Sequence, residues 1–208
     1  MQINPSGWIS LQLNETGTAL WLQLLVNSIR AGDCPTINQG YETDIHQLGN
    51  FTNSSFIIQY THARCCSLLH LAHQAELIEL DNAQPHWRQS VPLIAVPNSL
   101  PWLDAEHRLR FQQITEWQLI TQCVVTLDRL AELASSDVVT LNRAVDFKLA
   151  MELSQTFQAF HAACPLLGEA QKASLELAQV RLGLISVTQG LLNLLLQEGI
   201  GVMAPVCL

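Results

Sequence analysis

Apolar and polar positions follow a helical period along most of this chain. In the first such segment, residues 18–30, the apolar side chains recur at helical spacing, and Asn14 or Thr16 can cap its start. The apolar side is formed by Leu20, Trp21, Leu24 and Leu25. Glycine and proline residues between positions 32 and 40 then break the pattern.

A second, longer helical pattern begins at Asn53 or Ser54 and continues to about residue 80. Its apolar positions have helical rather than strand spacing: Ile57, Ile58, Cys65, Leu68, Leu69 and Leu71. Residues 82–105 contain four prolines, which predicts a long connection. Two tryptophans of this connection, Trp87 and Trp102, are expected to pin it to the helices, with exposed stacking platforms as the alternative.

Three more helices are predicted over residues 106–135, 140–163 and 169–197, separated by short breaks. Short connections favour antiparallel neighbours. The last helix has an apolar stripe wide enough for a central packing surface: Leu175, Ala178, Leu182, Ile185, Leu192 and Leu196. The predicted fold is therefore all-α, an antiparallel helical bundle.

The amino terminus has a different pattern. Residues 2–13 alternate apolar and polar positions around a Pro5-Ser6-Gly7 turn, which predicts a short β-hairpin. We divide the chain into residues 1–49, containing the hairpin and the first helix, and residues 50–208, the main helical domain.

Composition narrows the functional classes. Hydrophobic residues make up 49% of the 208 residues and charged residues 13%, so disorder is excluded. The net charge of −8 disfavours strong non-specific binding to RNA or DNA. No signal peptide or membrane span is expected, so we predict a cytoplasmic protein whose six cysteines are reduced and buried.

One segment carries a specific family resemblance. The string NSSFIIQYTHARCCSLL, residues 53–69, resembles the start of the DALR anticodon-binding domain of arginyl-tRNA synthetase. The shared letters, in unbroken register, are Gln59, Tyr60, His62, Ala63, Arg64, Cys66 and Ser67. Residues 157–168 and 180–200 resemble two later segments of the same domain in the same order, so the resemblance covers about residues 50–208.

The string PSGWISLQL, which contains Trp8, resembles a strand of the synthetase's amino-terminal module. The resemblance thus implies a stand-alone relative that lacks the catalytic domain. Catalysis in that class requires an H-I-G-H-like turn and a K-M-S-K-like loop to stabilise charge on ATP, and neither string occurs here. We expect a non-catalytic protein without a cofactor.

The resemblance implies RNA contacts at Gln59, Tyr60, His62 and Arg64, and at Trp8 in the amino-terminal part. Tyr60 and Arg64 are four residues apart and share a helical face, so a ring for stacking and a cation for a phosphate can act together. The alternative is a buried tyrosine and an arginine that bridges helices.

A second stripe of the same helix carries potential metal ligands: His62, Cys66, His70 and His73. One straight helix cannot close a tetrahedral shell, so we predict no metal site.

Departures from the family weaken the RNA prediction. The family's Tyr-Asn pair is replaced by His161-Ala162, a basic and aromatic segment is replaced by AVDFKLAMEL, and the usual charged ending becomes PVCL.

Two hypotheses about function follow. The protein binds tRNA, with arginine tRNA as the first candidate, as an adaptor, chaperone or sensor; alternatively, it has lost RNA binding and associates with itself or with a protein partner.

Overall fold

The computed structural model describes residues 2–3, 9–10, 13–31, 52–81, 92–95, 99–135, 143–166 and 174–207. Within these ranges the chain forms five α-helices. They are α1 (Glu15–Ala31), α2 (Thr52–Gln74), α3 (Ile114–Ser135), α4 (Arg143–Ala163) and α5 (Leu175–Leu194), and α5 continues into a π-helical turn at Leu195–Ile200. The predicted all-helical fold is confirmed.

Helix α5 lies at the centre of the bundle and contacts each of the other four helices. All its residues from 180 to 192 are buried, and packing among the other helices removes the apolar side chains of this range from water. Close approach is possible at two glycines: a Cβ on Gly183 would lie 2.5 Å from the Trp102 ring, and one on Gly190 would lie 2.6 Å from Ile29. The predicted central packing role of this helix is confirmed, although Leu175 at its start is exposed.

Helices α3 and α4 run antiparallel. Thr115 near the start of α3 contacts Cys164 just after α4, and Arg129 near the end of α3 bonds Asp146 at the start of α4. The buried face of α1 carries Ala19, Leu22 and Val26, which join the same core as the other helices. Leu20 and Leu24 are more than half exposed, so their predicted place on the packing face of α1 is wrong.

Side-chain caps decide where helices begin. The Asn14 Oδ1 atom accepts a hydrogen bond from the backbone N–H of Gly17, as expected of an N-cap. Helix α3 was predicted to begin at residue 106 but begins at Ile114. The Asp104 carboxylate accepts backbone N–H groups of Glu106 and Arg108 and so holds a turn there.

The start of α3 is fixed by a buried ion pair. The Glu116 carboxylate accepts the backbone N–H groups of Gln112 and Gln113, and its other oxygen lies 2.6 Å from Nε of Arg181 on α5. The Arg181 guanidinium also donates to the Pro165 carbonyl. Both charged groups are buried. Their hydrogen bonds join three segments: the start of α3, helix α5 and the residues just after α4.

Trp102 confirms part of the prediction for the long connection. Its ring is buried, and its Nε1 donates to Oε1 of Gln23 on α1 at 3.0 Å. The ring therefore pins the connection to the bundle. Trp87 lies outside the described residues.

The amino-terminal prediction is only partly covered. Gln2–Ile3 and Ile9–Ser10 pair antiparallel, with Gln2 opposite Ser10. The turn between them and the division at residues 49 and 50 lie outside the described residues, so the hairpin and the two-part division stay predictions.

Four of the six cysteines confirm the predicted burial: Cys65, Cys66, Cys123 and Cys164 are buried free thiols. Burial raises the thiol pKa of Cys66 and of Cys123 to about 12, so neither is a reactive thiolate. Cys207 is exposed, and Cys34 lies outside the described residues.

One helical segment in the described part of the chain, Leu175–Ile200, is long and apolar enough to cross a membrane. The protein itself buries 83% of its most apolar window, as it would for the central helix of a bundle.

Candidate nucleic-acid interface

An exposed stripe runs along the first half of α2. Phe56, Tyr60 and Arg64 are spaced by four residues, so they lie on one face, and all three are exposed. The rings of Phe56 and Tyr60 stack, with centroids 6.3 Å apart and planes inclined by 29°. We call these three residues the α2 stripe. Their arrangement fits the functional interpretation of Tyr60 and Arg64 and not the alternative of a buried tyrosine.

The α2 stripe lies in a part of the chain that has no carboxylate. No Asp or Glu occurs between Asp44 and Glu76, although the protein has 18 acidic residues. Arg64 therefore has no acidic neighbour on its own helix. An exposed guanidinium beside two rings can bind an anion and stack at the same time.

Helix α4 contributes His161 beside the α2 stripe. The His161 ring stacks on Phe157 with centroids 5.9 Å apart. Burial lowers the pKa of His161, and the positive charge of Arg64 lowers it further. A neutral imidazole next to Arg64 offers hydrogen bonds without adding charge repulsion.

His62 has a different use from the RNA contact that the resemblance implies. The side chain is fully buried, and its Nδ1 lies 2.7 Å from the Pro205 carbonyl oxygen. A carbonyl only accepts, so Nδ1 carries the proton, and Nε2 accepts from the Gln189 amide at 2.9 Å. Burial lowers the pKa of His62, although the bond to Pro205 acts in the other direction. The lowered pKa favours the neutral form.

Gln59 acts with His62 on the carboxyl-terminal segment, residues 201–207. Its Nε2 donates to the Met203 carbonyl at 2.9 Å. The two side chains thus hold the segment against α2, and Met203, 74% exposed, is placed near the α2 stripe. Gly201, in a left-handed conformation with φ of 78°, turns the chain out of the π-helical turn into this segment.

Two exposed residues beside the candidate contacts were missed in the sequence. Phe56 precedes Tyr60 by one helical turn, a spacing that could have identified it. Met203 follows a glycine turn, and no local pattern predicts its position next to α2. Trp8, the remaining candidate, lies outside the described residues and stays a prediction.

The potential metal ligands along α2 make other contacts. His62 bonds Pro205 and Gln189, and His73 bonds the Ile78 carbonyl. In the described part of the chain, no group of three or more His, Cys, Asp or Glu side chains is arranged to hold a metal ion.

The fold and the α2 stripe define a helical domain with an aromatic and cationic exposed surface on one helix. The family model of the DALR anticodon binding domain matches residues 58–205, and the chain therefore belongs to this family. The matched range includes both Tyr60 and Arg64 and ends at Pro205, the residue that His62 holds. No curated protein and no solved structure matches the chain significantly.

Proposed function

We propose that this protein binds tRNA, without catalysing a reaction, through the α2 stripe. The observation that carries the proposal is the exposure of the stacked Phe56–Tyr60 pair directly before Arg64. Aromatic rings are platforms for unpaired bases, and a guanidinium binds phosphate with two parallel hydrogen bonds. Membership in an anticodon-binding family supports tRNA as the RNA, and the segment at residues 53–69 favours arginine tRNA.

The charge distribution supports modest rather than tight affinity. Few basic side chains are available to release counterions from phosphates, so binding should weaken steeply with salt. Helix α2 nevertheless adds no carboxylate of its own beside the stripe, because residues 45–75 contain none.

This sequence contains neither an H-I-G-H-like nor a K-M-S-K-like string, and the matching family model is that of an anticodon binding domain. We therefore propose an adaptor, chaperone or sensor of tRNA in the cytoplasm. ATP–pyrophosphate exchange that depends on arginine and exceeds a heat-killed control would overturn the non-catalytic part of this proposal.

The test compares two surface arginines. Arg64→Ala should weaken binding to every tRNA by about 1–2 kcal/mol in a fluorescence anisotropy titration at low salt. Arg108→Ala is the matched control: Arg108 is exposed but already paired with Asp104 and Glu106, so its removal should leave affinity unchanged. If total tRNA does not bind wild-type protein at micromolar concentration, or if both variants lose affinity equally, the α2 stripe is not a tRNA site.

The second candidate function is protein association, either with a second copy or with another protein. Exposed apolar side chains at Phe56, Ile57 and Met203 lie on or beside the α2 stripe, and the net charge of −8 opposes RNA. Analytical ultracentrifugation over a wide concentration range separates the candidates. Self-association that Phe56→Ser abolishes, without any RNA binding, would favour this second function.

A further inference from the structure

A second surface feature lies on the other side of α4. A groove of about 570 Å³ runs between the first half of α3 and the second half of α4. Its walls include Ile114, Trp117, Gln118 and Gln122 from α3, and Gln155 and Ala159 from α4. None of the side chains that line this groove is ionisable, so its chemistry is that of an indole ring, amides and hydroxyls.

The Trp117 ring is held in place but still accessible. It packs edge-to-face against Phe111, with centroids 5.9 Å apart, and 39% of the residue remains exposed. Phe111 in turn contacts the buried Trp102 ring at 6.1 Å. A ring fixed from one edge by buried aromatics loses little freedom when a planar ligand stacks on its open part.

The amide of Gln122 supplies an unused donor. Its Nε2 atom is buried and makes no hydrogen bond within the described part of the chain. A buried donor without an acceptor is costly, so rotation of the Gln122 amide into the groove, towards a ligand acceptor, would be favoured. The groove hydroxyls are already engaged as donors: Thr121 bonds the Trp117 carbonyl and Thr156 bonds the Glu152 carbonyl.

We propose that this groove is a pocket for one unpaired nucleobase, stacked on Trp117 and bonded along its polar edge by the Gln122 amide. A neutral, planar ligand with donors and acceptors on its edge fits a site that has a ring, amides and no charge. A glutamine amide pairs well with the adenine edge, which presents an acceptor beside an amino donor. Adenine is the expected base.

The pocket does not depend on the α2 stripe, but its position suits the same RNA. Helix α4 contacts both α2 and α3, with His161 beside Arg64 and Ala159 in the groove. Adjacent packed helices are about 8–10 Å apart. Residues 153–166 contain no carboxylate, and the Glu152 carboxylate just before them lies 3.8 Å from the Lys148 ammonium. The inference that an RNA strand supplies the base rests on the proposed tRNA function. The inference that the pocket binds a base does not rest on it.

The first experiment uses adenosine 5′-monophosphate with the full chain, followed by nuclear magnetic resonance. The indole signal of Trp117, assigned by its loss in Trp117→Leu, should shift on titration of wild type. Trp117→Leu should weaken binding roughly five- to a hundredfold, as loss of one stacked base does. Trp117→Phe should retain most of the affinity, and Val125→Ala, an exposed change on α3 outside the groove, should have no effect.

Ribose 5-phosphate in place of the nucleotide tests for simple phosphate binding and should produce no shift of the indole signal. A photo-crosslink with 8-azidoadenosine monophosphate on wild type requires no variant to fold. Labelled peptides should contain residues 114–122 or 155–159. Labelling elsewhere, or equal affinity in Trp117→Leu, would overturn the pocket.

The base could come from an RNA strand or from a free nucleotide. Anisotropy titrations with a hexamer of adenylate distinguish these two sources. If the hexamer binds more tightly than the mononucleotide and Tyr60→Ala weakens only the hexamer, one strand occupies both surfaces. If the mononucleotide binds and no RNA does, the pocket stands and the tRNA function fails. If tRNA binds and Trp117→Leu changes neither titration, the pocket fails alone. Self-association lost in Trp117→Leu, with no nucleotide binding, would make the groove a protein contact and overturn the proposal.

Discussion

The Nδ1 atom of His62 donates to the carbonyl oxygen of Pro205 across 143 residues of sequence, over 2.7 Å. This bond fixes the carboxyl-terminal segment to α2, and the second bond of the ring, from the Gln189 amide to Nε2, requires the neutral form protonated at Nδ1. One buried ring therefore joins α2 to both the carboxyl-terminal segment and α5, and uptake of a second proton would remove its bond to Gln189.

Stability should fall as the pH drops below about 6.5. Burial lowers the pKa of His62 from its ordinary 6.5, so the unfolded chain takes up this proton at a higher pH than the folded protein. The stabilisation is fully present above pH 6.5 and is lost as the pH falls towards the lowered pKa. Urea unfolding at several pH values between about 7.5 and 5.5 measures it.

His70 and His161, whose pKa values burial also lowers, act in the same direction, so a variant must isolate His62. His62→Asn retains a donor near Pro205 and cannot titrate, and its stability should depend less on pH than that of wild type. An identical pH dependence in both proteins would show that His62 does not contribute.

Removal of one partner of the buried ion pair should be among the most destabilising single changes. Arg181→Met leaves the Glu116 carboxylate buried without its cation and removes the bond to Pro165. We expect a loss of about 3–5 kcal/mol in the free energy of unfolding, measured with chemical denaturant. Arg108→Ala, which removes an exposed pair, should change it little. A loss in Arg181→Met as small as that of the control would contradict the assigned role of the pair.

Gly190 sets the distance between α5 and α1. A Cβ added there would lie 2.6, 2.7 and 2.9 Å from three side-chain carbons of Ile29. Gly190→Ala should therefore cost about 1–3 kcal/mol of stability through overpacking. Ile29→Ala in the same chain removes those carbons, so the double variant should lose less than the sum of the two single variants. Strict additivity would mean that the contact does not limit the packing.

Tyr60 should contribute to RNA binding through its ring and not through its hydroxyl. Tyr60→Phe is expected to leave tRNA affinity nearly unchanged, whereas Tyr60→Ala should lose about 1–3 kcal/mol of binding free energy. Anisotropy titrations with folded proteins, checked by circular dichroism, measure both. Equal losses in the two variants would instead point to a hydrogen bond from the hydroxyl.

Local patterns predicted the helices well but their ends poorly. The period of apolar residues located all five helices because burial against α5 imposes it on the sequence. The start of α3 depends on Asp104 and on a bond from the Leu109 backbone to the Glu15 carboxylate, 94 residues away. A local stretch of sequence around Leu109 cannot reveal a hydrogen-bond partner that lies 94 residues away. The end of α2 was likewise placed six residues late. Glu76 adopts a positive φ of 58° that ends the helical path, and a glutamate at this position gives no sign of that conformation.

The candidate site likewise has features that a local sequence pattern predicts and features that it does not. Tyr60 and Arg64 could be identified in the sequence because helical spacing alone puts them on one face. Whether that face is inside or outside could not be predicted, and two apolar positions of the same helical pattern, Ile57 and Leu71, are more than 40% exposed. Gln59 and His62 match the family letters as well as Tyr60 does, but their roles depend on the chain's far end.

All 18 carboxylates lie outside residues 45–75. The net charge of −8 repels a polyanion at long range, whereas helix α2 itself adds no side-chain carboxylate to that repulsion. If the α2 stripe binds RNA as proposed, the orientation of approach is selected before any contact forms. The protein's own charge would then act as a filter against incorrectly docked RNA, and that filter would weaken as added salt shortens the range of the field.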